Sequence, residues 1–116
     1  MISEVDIKDM RELNDYQEAA WSTTLDSARN SSYLFNGLAG EAGEVCSLFA
    51  KAIRDGVPSG EVFADNLKKE LGDVLWFVSG LAKTYGFTLQ QVAEANIEKL
   101  NSRKARGTLK GSGNER

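Results

Sequence analysis

The sequence predicts an all-α domain of the four-helix-bundle type, and three observations support that prediction. Apolar residues recur with a helical period of about 3.6 in four successive segments. No segment alternates apolar and polar residues as a half-buried strand does, and the only proline is Pro58. With 116 residues, the chain has the length of one small domain with a single core.

Residues 7–21 form the first predicted helix, and the polar segment 22–32 separates it from the second, predicted over 33–54. Gly56 and Pro58 end that second helix, because glycine suits a C-terminal cap and proline cannot continue a helix.

The third helix is predicted over residues 61–85. Thr88 and Gln91 then form a capping box, in which each side chain bonds the backbone N–H of the other residue. The fourth helix therefore begins at this point, and we expect it to continue to Lys104. Residues 1–105 make up the domain, and 106–116 form a basic, glycine-rich tail that we expect to be flexible.

The composition is that of a globular protein, with 41% hydrophobic and 27% charged residues and a net charge of −3. We expect no nucleic-acid partner and no membrane, since no basic excess and no apolar run of roughly 20 residues is present. The acidic N-terminus lacks the apolar region of a signal peptide. These features predict a cytoplasmic protein.

The chain has no histidine and one cysteine, Cys46. The missing histidine excludes Ser-His-Asp triads, His-ligated zinc sites and an imidazole general base. A single cysteine excludes an intramolecular disulfide, and without a histidine to activate it we do not expect a nucleophilic thiol. Chemistry must come from carboxylates, lysines, amides, hydroxyls or a bound metal.

Two acidic pairs lie at the apolar stripes of the second and third helices. On a helical wheel Glu41 falls inside its stripe and Glu44 about 60° further round, at the edge. Glu70 likewise falls among apolar residues, with Asp73 about 60° beyond it. Four carboxylates that face one another repel strongly unless a cation neutralises them. With oxygen ligands only, the natural cation is Mg²⁺, with Mn²⁺ as a substitute.

Glycines and lysines surround these carboxylates. Ligand access and close helix packing explain the glycines equally well; they are Gly37, Gly40, Gly43 and Gly72. Partial charge compensation by lysines is an alternative to a metal, and the lysines concerned are Lys51, Lys69 and Lys99.

One polar edge of the fourth helix carries Asn96, Lys99 and Arg103 beside its apolar face. Cations at a helix rim often only extend their apolar stems along the surface. Together with an acidic metal cluster, however, this edge predicts a phosphate clamp, to which Lys51 at the edge of the second helix also belongs.

Base recognition has weaker candidates. Gln17 lies on a face of the first helix where its amide would read a base edge, and Trp21 beside it would stack on the base. Core packing is the alternative for Trp21. Asn36 and Trp76 are weaker still, and Trp76 lies opposite its own apolar stripe, which favours a subunit interface.

These motifs resemble those of the MazG-like all-α nucleoside triphosphate pyrophosphohydrolases: EAGE at 41–44, ELGD at 70–73, and NIEKL at 96–100 followed by Arg103. The resemblance covers roughly residues 15–106 and is closest to the compact single-domain branch. It implies Mg²⁺ held by the four carboxylates, a homodimer or homotetramer, and Lys99 and Arg103 on the phosphates, across the subunit interface or within one chain. Asn96 would act with them or on the sugar.

The implied reaction is Mg²⁺-dependent hydrolysis of (deoxy)nucleoside triphosphates between the α and β phosphates, giving monophosphate and pyrophosphate for nucleotide-pool housekeeping. Glu41 or Glu44 would orient the attacking water or take its proton, and the sequence does not distinguish them. Two alternatives stay open. One is a phosphoribosyl-ATP pyrophosphohydrolase, and the other is a non-catalytic helical dimerisation or regulatory module.

Overall fold

The computed structural model describes residues 12–56, 60–108, 110–111 and 113, and every regular element in these ranges is helical. Its four α-helices, with a 3₁₀ turn at Asp26–Ala28 after the first, are α1 (Leu13–Ser22), α2 (Ser31–Asp55), α3 (Gly60–Thr84) and α4 (Leu89–Ala105). The all-α prediction is confirmed. The ends of α2, α3 and α4 lie within two residues of the predicted ones.

Helix α1 starts at Leu13, so the prediction of helix at position 12 is wrong. The backbone of Glu12 is extended, with φ −132° and ψ 163°, and its N–H donates to a carboxylate oxygen of Asp15 at 3.2 Å. This bond caps the helix start. Residues 7–11 of the predicted first helix lie outside the described residues.

Helices α2 and α3 form a long antiparallel hairpin of 25 residues each. Gly56 caps α2 with φ +86°, a left-handed conformation that favours glycine. The predicted role of Pro58 lies outside the described residues. At the open end of the hairpin, Gly37 of α2 meets Phe77 of α3 so closely that a Cβ on the glycine would overlap the ring.

The core of a single chain is thin, although Leu34 is fully buried in it. Small residues make up most of it; within the described ranges the buried apolar residues are Ala20, Ala28, Leu34, Ala52, Phe77, Ala82 and Leu89. The radius of gyration is 17.0 Å, whereas a compact domain of this length has about 13 Å. Among the described residues, none of the helices combines the length and apolar character that crossing a bilayer requires.

Several large apolar side chains of α2 and α3 are exposed in the single chain. We call these the apolar hairpin face; its exposed members are Phe35, Phe49, Ile53, Leu71 and Leu75. Ile53 is 67% exposed and Phe49 58%. Exposed large apolar residues that lie together commonly mark a surface that binds a partner.

Candidate metal centre

Three carboxylates from two helices meet beside the closely packed end of the hairpin. Glu41 of α2 and Glu70 and Asp73 of α3 each offer one oxygen, and these oxygens lie within 4.8 Å of one another. Glu41 and Glu70 are half-buried, and Asp73 is exposed. The structure therefore brings together three of the four predicted ligands, whereas the exposed Glu44 lies outside this group.

The group is electrostatically strained without a cation. Burial raises the pKa of Glu41, and the negative charges of Asp73, Glu70 and Glu44 raise it further. Glu44 therefore lies close enough to contribute its charge. Three carboxylates with no nitrogen or sulfur donor suit a hard divalent cation such as Mg²⁺ or Mn²⁺, and such a cation would offset the repulsion.

The glycines near the group have different roles. Gly37 lies one helical turn before Glu41, and its contact with Phe77 holds the two helices close together there. In the described part of the chain, a Cβ added at Gly40, Gly43 or Gly72 would meet no atom within 4 Å. Helix packing thus explains Gly37, while the other three leave open space beside the carboxylates.

Tyr16 of α1 is a neighbour of this group that the sequence did not indicate. Burial raises the pKa of its phenol, and the charge of Asp73 raises it further. Its side chain therefore lies near Asp73, on the α3 side of the group. Only the packing of α1 against α3 reveals this proximity, because a wheel drawn for one helix does not show which residues of another helix face it.

Gln17 and Trp21, the predicted base-binding residues, both have protein partners. Gln17 is 3% exposed, and its amide bonds the backbone, donating to the Phe87 carbonyl at 2.9 Å and accepting from the Leu89 N–H at 3.1 Å. The Arg29 guanidinium lies 4.6 Å from the centre of the half-buried Trp21 ring. These contacts give both residues structural roles, and base binding by either stays a prediction.

Trp76 is half-buried and lies against α1, and its place at a subunit interface stays a prediction. Its Nε1 donates to the Thr23 hydroxyl at 2.9 Å, and its ring packs edge-on against Phe77 at 4.9 Å. The Asn36 amide donates to the Ser32 carbonyl one turn earlier, at 2.8 Å. Neither side chain is held towards the carboxylates by these bonds.

The predicted phosphate clamp is spread over separate places. Asn96 and Lys99 line a cavity of about 540 Å³ whose other lining residues are Phe87, Gln91, Val92 and Ala95. None of the three clustered carboxylates lines it. Lys51 is exposed and lines a second cavity of about 290 Å³, towards the far end of the hairpin.

Arg103 is only 4% exposed. Its Nη2 donates to the Gly113 carbonyl at 2.9 Å. Helix α4 ends beside it, because Gly107 adopts φ +71° and the Thr108 N–H donates to the Arg103 carbonyl at 2.7 Å. This is the glycine-dependent chain reversal that commonly ends helices. The predicted flexibility of the tail is not tested by these contacts.

Comparison with known proteins agrees with the motifs. A family model described as "MazG nucleotide pyrophosphohydrolase domain" matches residues 29–107, which include both acidic pairs and the polar edge of α4. The chain is 43% identical over 110 residues to "Gene 37 protein" of Mycobacterium phage L5, and the alignment covers 87% of this chain and 96% of that protein. No solved structure matches the chain.

Proposed function

The chain belongs to the MazG nucleotide pyrophosphohydrolase domain family, and from this we propose that it hydrolyses (deoxy)nucleoside triphosphates to monophosphate and pyrophosphate. The observation that supports this most strongly is the group formed by Glu41, Glu70 and Asp73. Carboxylates so close together can hold a divalent cation, which in turn binds a phosphate chain. Housekeeping of the nucleotide pool is the role we propose.

Glu41, Glu70 and Asp73 would hold Mg²⁺, with Glu44 beside them. When bound, Mg²⁺ would offset the charge of the phosphates and lower the pKa of the attacking water. The protein must supply the rest of the chemistry with carboxylates, since it has no histidine. Glu44 lies beside the group and not within it, which favours Glu44 for orienting that water and taking its proton.

A second copy of the chain would complete the active unit and its substrate site. The apolar hairpin face offers a surface for a homodimer, or for one interface of a homotetramer, because burying it removes large apolar side chains from water. Asn96 and Lys99 line a cavity that none of the three clustered carboxylates of their own chain lines. In the assembly we propose, α4 of one copy would bring these residues to the substrate phosphates of the other.

Product analysis tests the proposed reaction. The purified chain would be incubated with Mg²⁺ and a panel of canonical and modified dNTPs and NTPs, with phosphoribosyl-ATP included and EDTA as the control. We expect pyrophosphate and monophosphate as the first products. Orthophosphate as the first product would contradict α–β cleavage, and a preference for phosphoribosyl-ATP would favour that alternative enzyme. No turnover of any substrate would favour a non-catalytic module.

A further inference from the structure

Helix α4 is held at its amino end partly by its own residues. The Thr88 hydroxyl accepts from the Gln91 N–H at 3.0 Å, and the Gln91 side chain accepts from the Thr88 N–H at 2.9 Å. This is the capping box that the sequence predicts, and it serves two of the backbone N–H groups at this helix end.

Two side chains of α1 bond the two N–H groups that lie between these, those of Leu89 and Gln90. Asn14 accepts from the Gln90 N–H at 3.1 Å, and Gln17 accepts from the Leu89 N–H at 3.1 Å. The Gln17 amide also donates to the Phe87 carbonyl at 2.9 Å. We call these three bonds the α1–α4 joint. They connect positions far apart in sequence, so they fix α4 relative to another helix and do not merely cap it.

The placement of α4 depends strongly on this joint, because the rest of the helix is poorly buried. Of its residues, only Leu89 and Arg103 are buried. Among its large apolar side chains, Val92, Ile97 and Leu100 are exposed. Hydrogen bonds constrain direction more sharply than apolar contacts do. The joint therefore has a large share in setting the direction of α4 within its own chain.

We propose that Asn14 and Gln17 are positioning residues that orient α4 and so place Asn96 and Lys99 for substrate. This inference rests on the proposed function, which assigns Asn96 and Lys99 to the substrate phosphates. Neither positioning residue touches substrate in this account.

Asn14 is the residue to change, since it is only half-buried and its loss leaves the buried Gln17 in place. Asn14→Ala removes the acceptor for the Gln90 N–H, whereas Asn14→Asp keeps an acceptor and adds a charge that a helix amino end favours. The matched control is Gln90→Ala, which removes an exposed side chain of α4 and keeps its backbone N–H.

We expect Asn14→Ala to raise KM for the best nucleotide about three- to tenfold, the range of an equilibrium change on losing a helix cap. The value of kcat and the affinity for Mg²⁺ should stay unchanged, because the carboxylates lie on α2 and α3. Asn14→Asp should restore the wild-type KM, and Gln90→Ala should not alter it. In parallel, amide hydrogen exchange of Gln90 should speed up in Asn14→Ala and return to normal in Asn14→Asp.

Two results would overturn the positioning role while leaving the proposed function intact. In the first, the wild type turns over and Asn14→Ala keeps its KM. In the second, KM rises in Asn14→Ala but kcat and the affinity for Mg²⁺ fall as well, as a general loss of structure would cause. If the wild type neither turns over nor binds any nucleotide of the panel, the proposed function fails, and this inference fails with it.

Discussion

Glu41 of α2 and Asp73 of α3 hold carboxylate oxygens within 4.8 Å of each other, with an oxygen of Glu70 at the same short range. Burial and then these two neighbouring charges raise the pKa of Glu41. The packing of Gly37 against Phe77, one turn away, keeps the two helices close at this point. The metal-free protein therefore carries a repulsion that a divalent cation would relieve.

The raised pKa of Glu41 predicts how the stability of the metal-free protein depends on pH. The usual value is 4.5, so above this pH the unfolded chain gives up the proton while the folded chain still holds it. In that window the folded state binds more protons. The Glu41 contribution to the free energy of unfolding is therefore fully present below the usual value and is lost as pH rises through the folded pKa.

Urea denaturation in EDTA across the weakly acidic range measures this dependence. Glu41→Gln, which cannot ionise, should flatten the profile relative to the wild type. Added Mg²⁺ should stabilise the wild type more strongly as pH rises through the same window, because the cation competes with the proton. Parallel profiles for the two proteins would show that Glu41 does not titrate as described.

A substitution at Gly37 tests the packing that brings the two helices together. Gly37→Ala places a Cβ into the Phe77 ring, and we expect this overpacking to lower the free energy of unfolding by about 1–3 kcal/mol. Gly43→Ala is the matched control, since a Cβ there meets no described atom within 4 Å. The control should be stabilising by up to about 1 kcal/mol, the difference in helix propensity.

Both variants are compared with the wild type by urea denaturation at one protein concentration, because association contributes to apparent stability. Effects of the same sign and size at the two positions would contradict the close approach of Gly37 and Phe77.

The apolar hairpin face predicts the effect of a charge at its most exposed member. Ile53 is 67% exposed in the single chain. If a second copy covers it, Ile53→Asp buries a carboxylate at the interface, which is costly, and the protein should become monomeric. Light scattering after size-exclusion chromatography gives the mass. Ser32→Asp, which adds the same charge at an exposed position near the start of α2, should leave the mass unchanged.

A wild-type mass equal to that of one chain would contradict the assembly. An unchanged mass for Ile53→Asp would place the interface on another surface.

Helical periodicity predicted the parts of the fold that depend on one helix at a time. It placed Glu41 and Glu70 inside apolar stripes, and in the hairpin these two residues meet Asp73 where α2 and α3 pack together. Periodicity also predicted Glu44 as a fourth ligand. Glu44 lies at the edge of its stripe, and in the structure it is exposed and outside the group.

The sequence did not predict the contacts between helices that do not follow one another in the chain. Gln17 was predicted to lie on a face of α1 where its amide would read a base edge. In the structure its partners are the backbone groups of Phe87 and Leu89, which no side-chain pattern shows. The polar edge of α4 was likewise predicted on its own helix. Its distance from the carboxylates depends on how α4 packs, and a wheel contains no information about that.

The Mg²⁺ dependence of Glu41→Gln shows whether the group of Glu41, Glu70 and Asp73 holds the catalytic metal. Glu94→Gln, the same change at an exposed position of α4, is the control. Loss of an outer partner of a metal ligand commonly costs 10- to 100-fold, so loss of a ligand itself should lower kcat/KM by at least about 100-fold and weaken Mg²⁺ binding, with Glu94→Gln unaffected. A Glu41→Gln protein that keeps the wild-type rate and Mg²⁺ dependence would show that Glu41 is not a metal ligand.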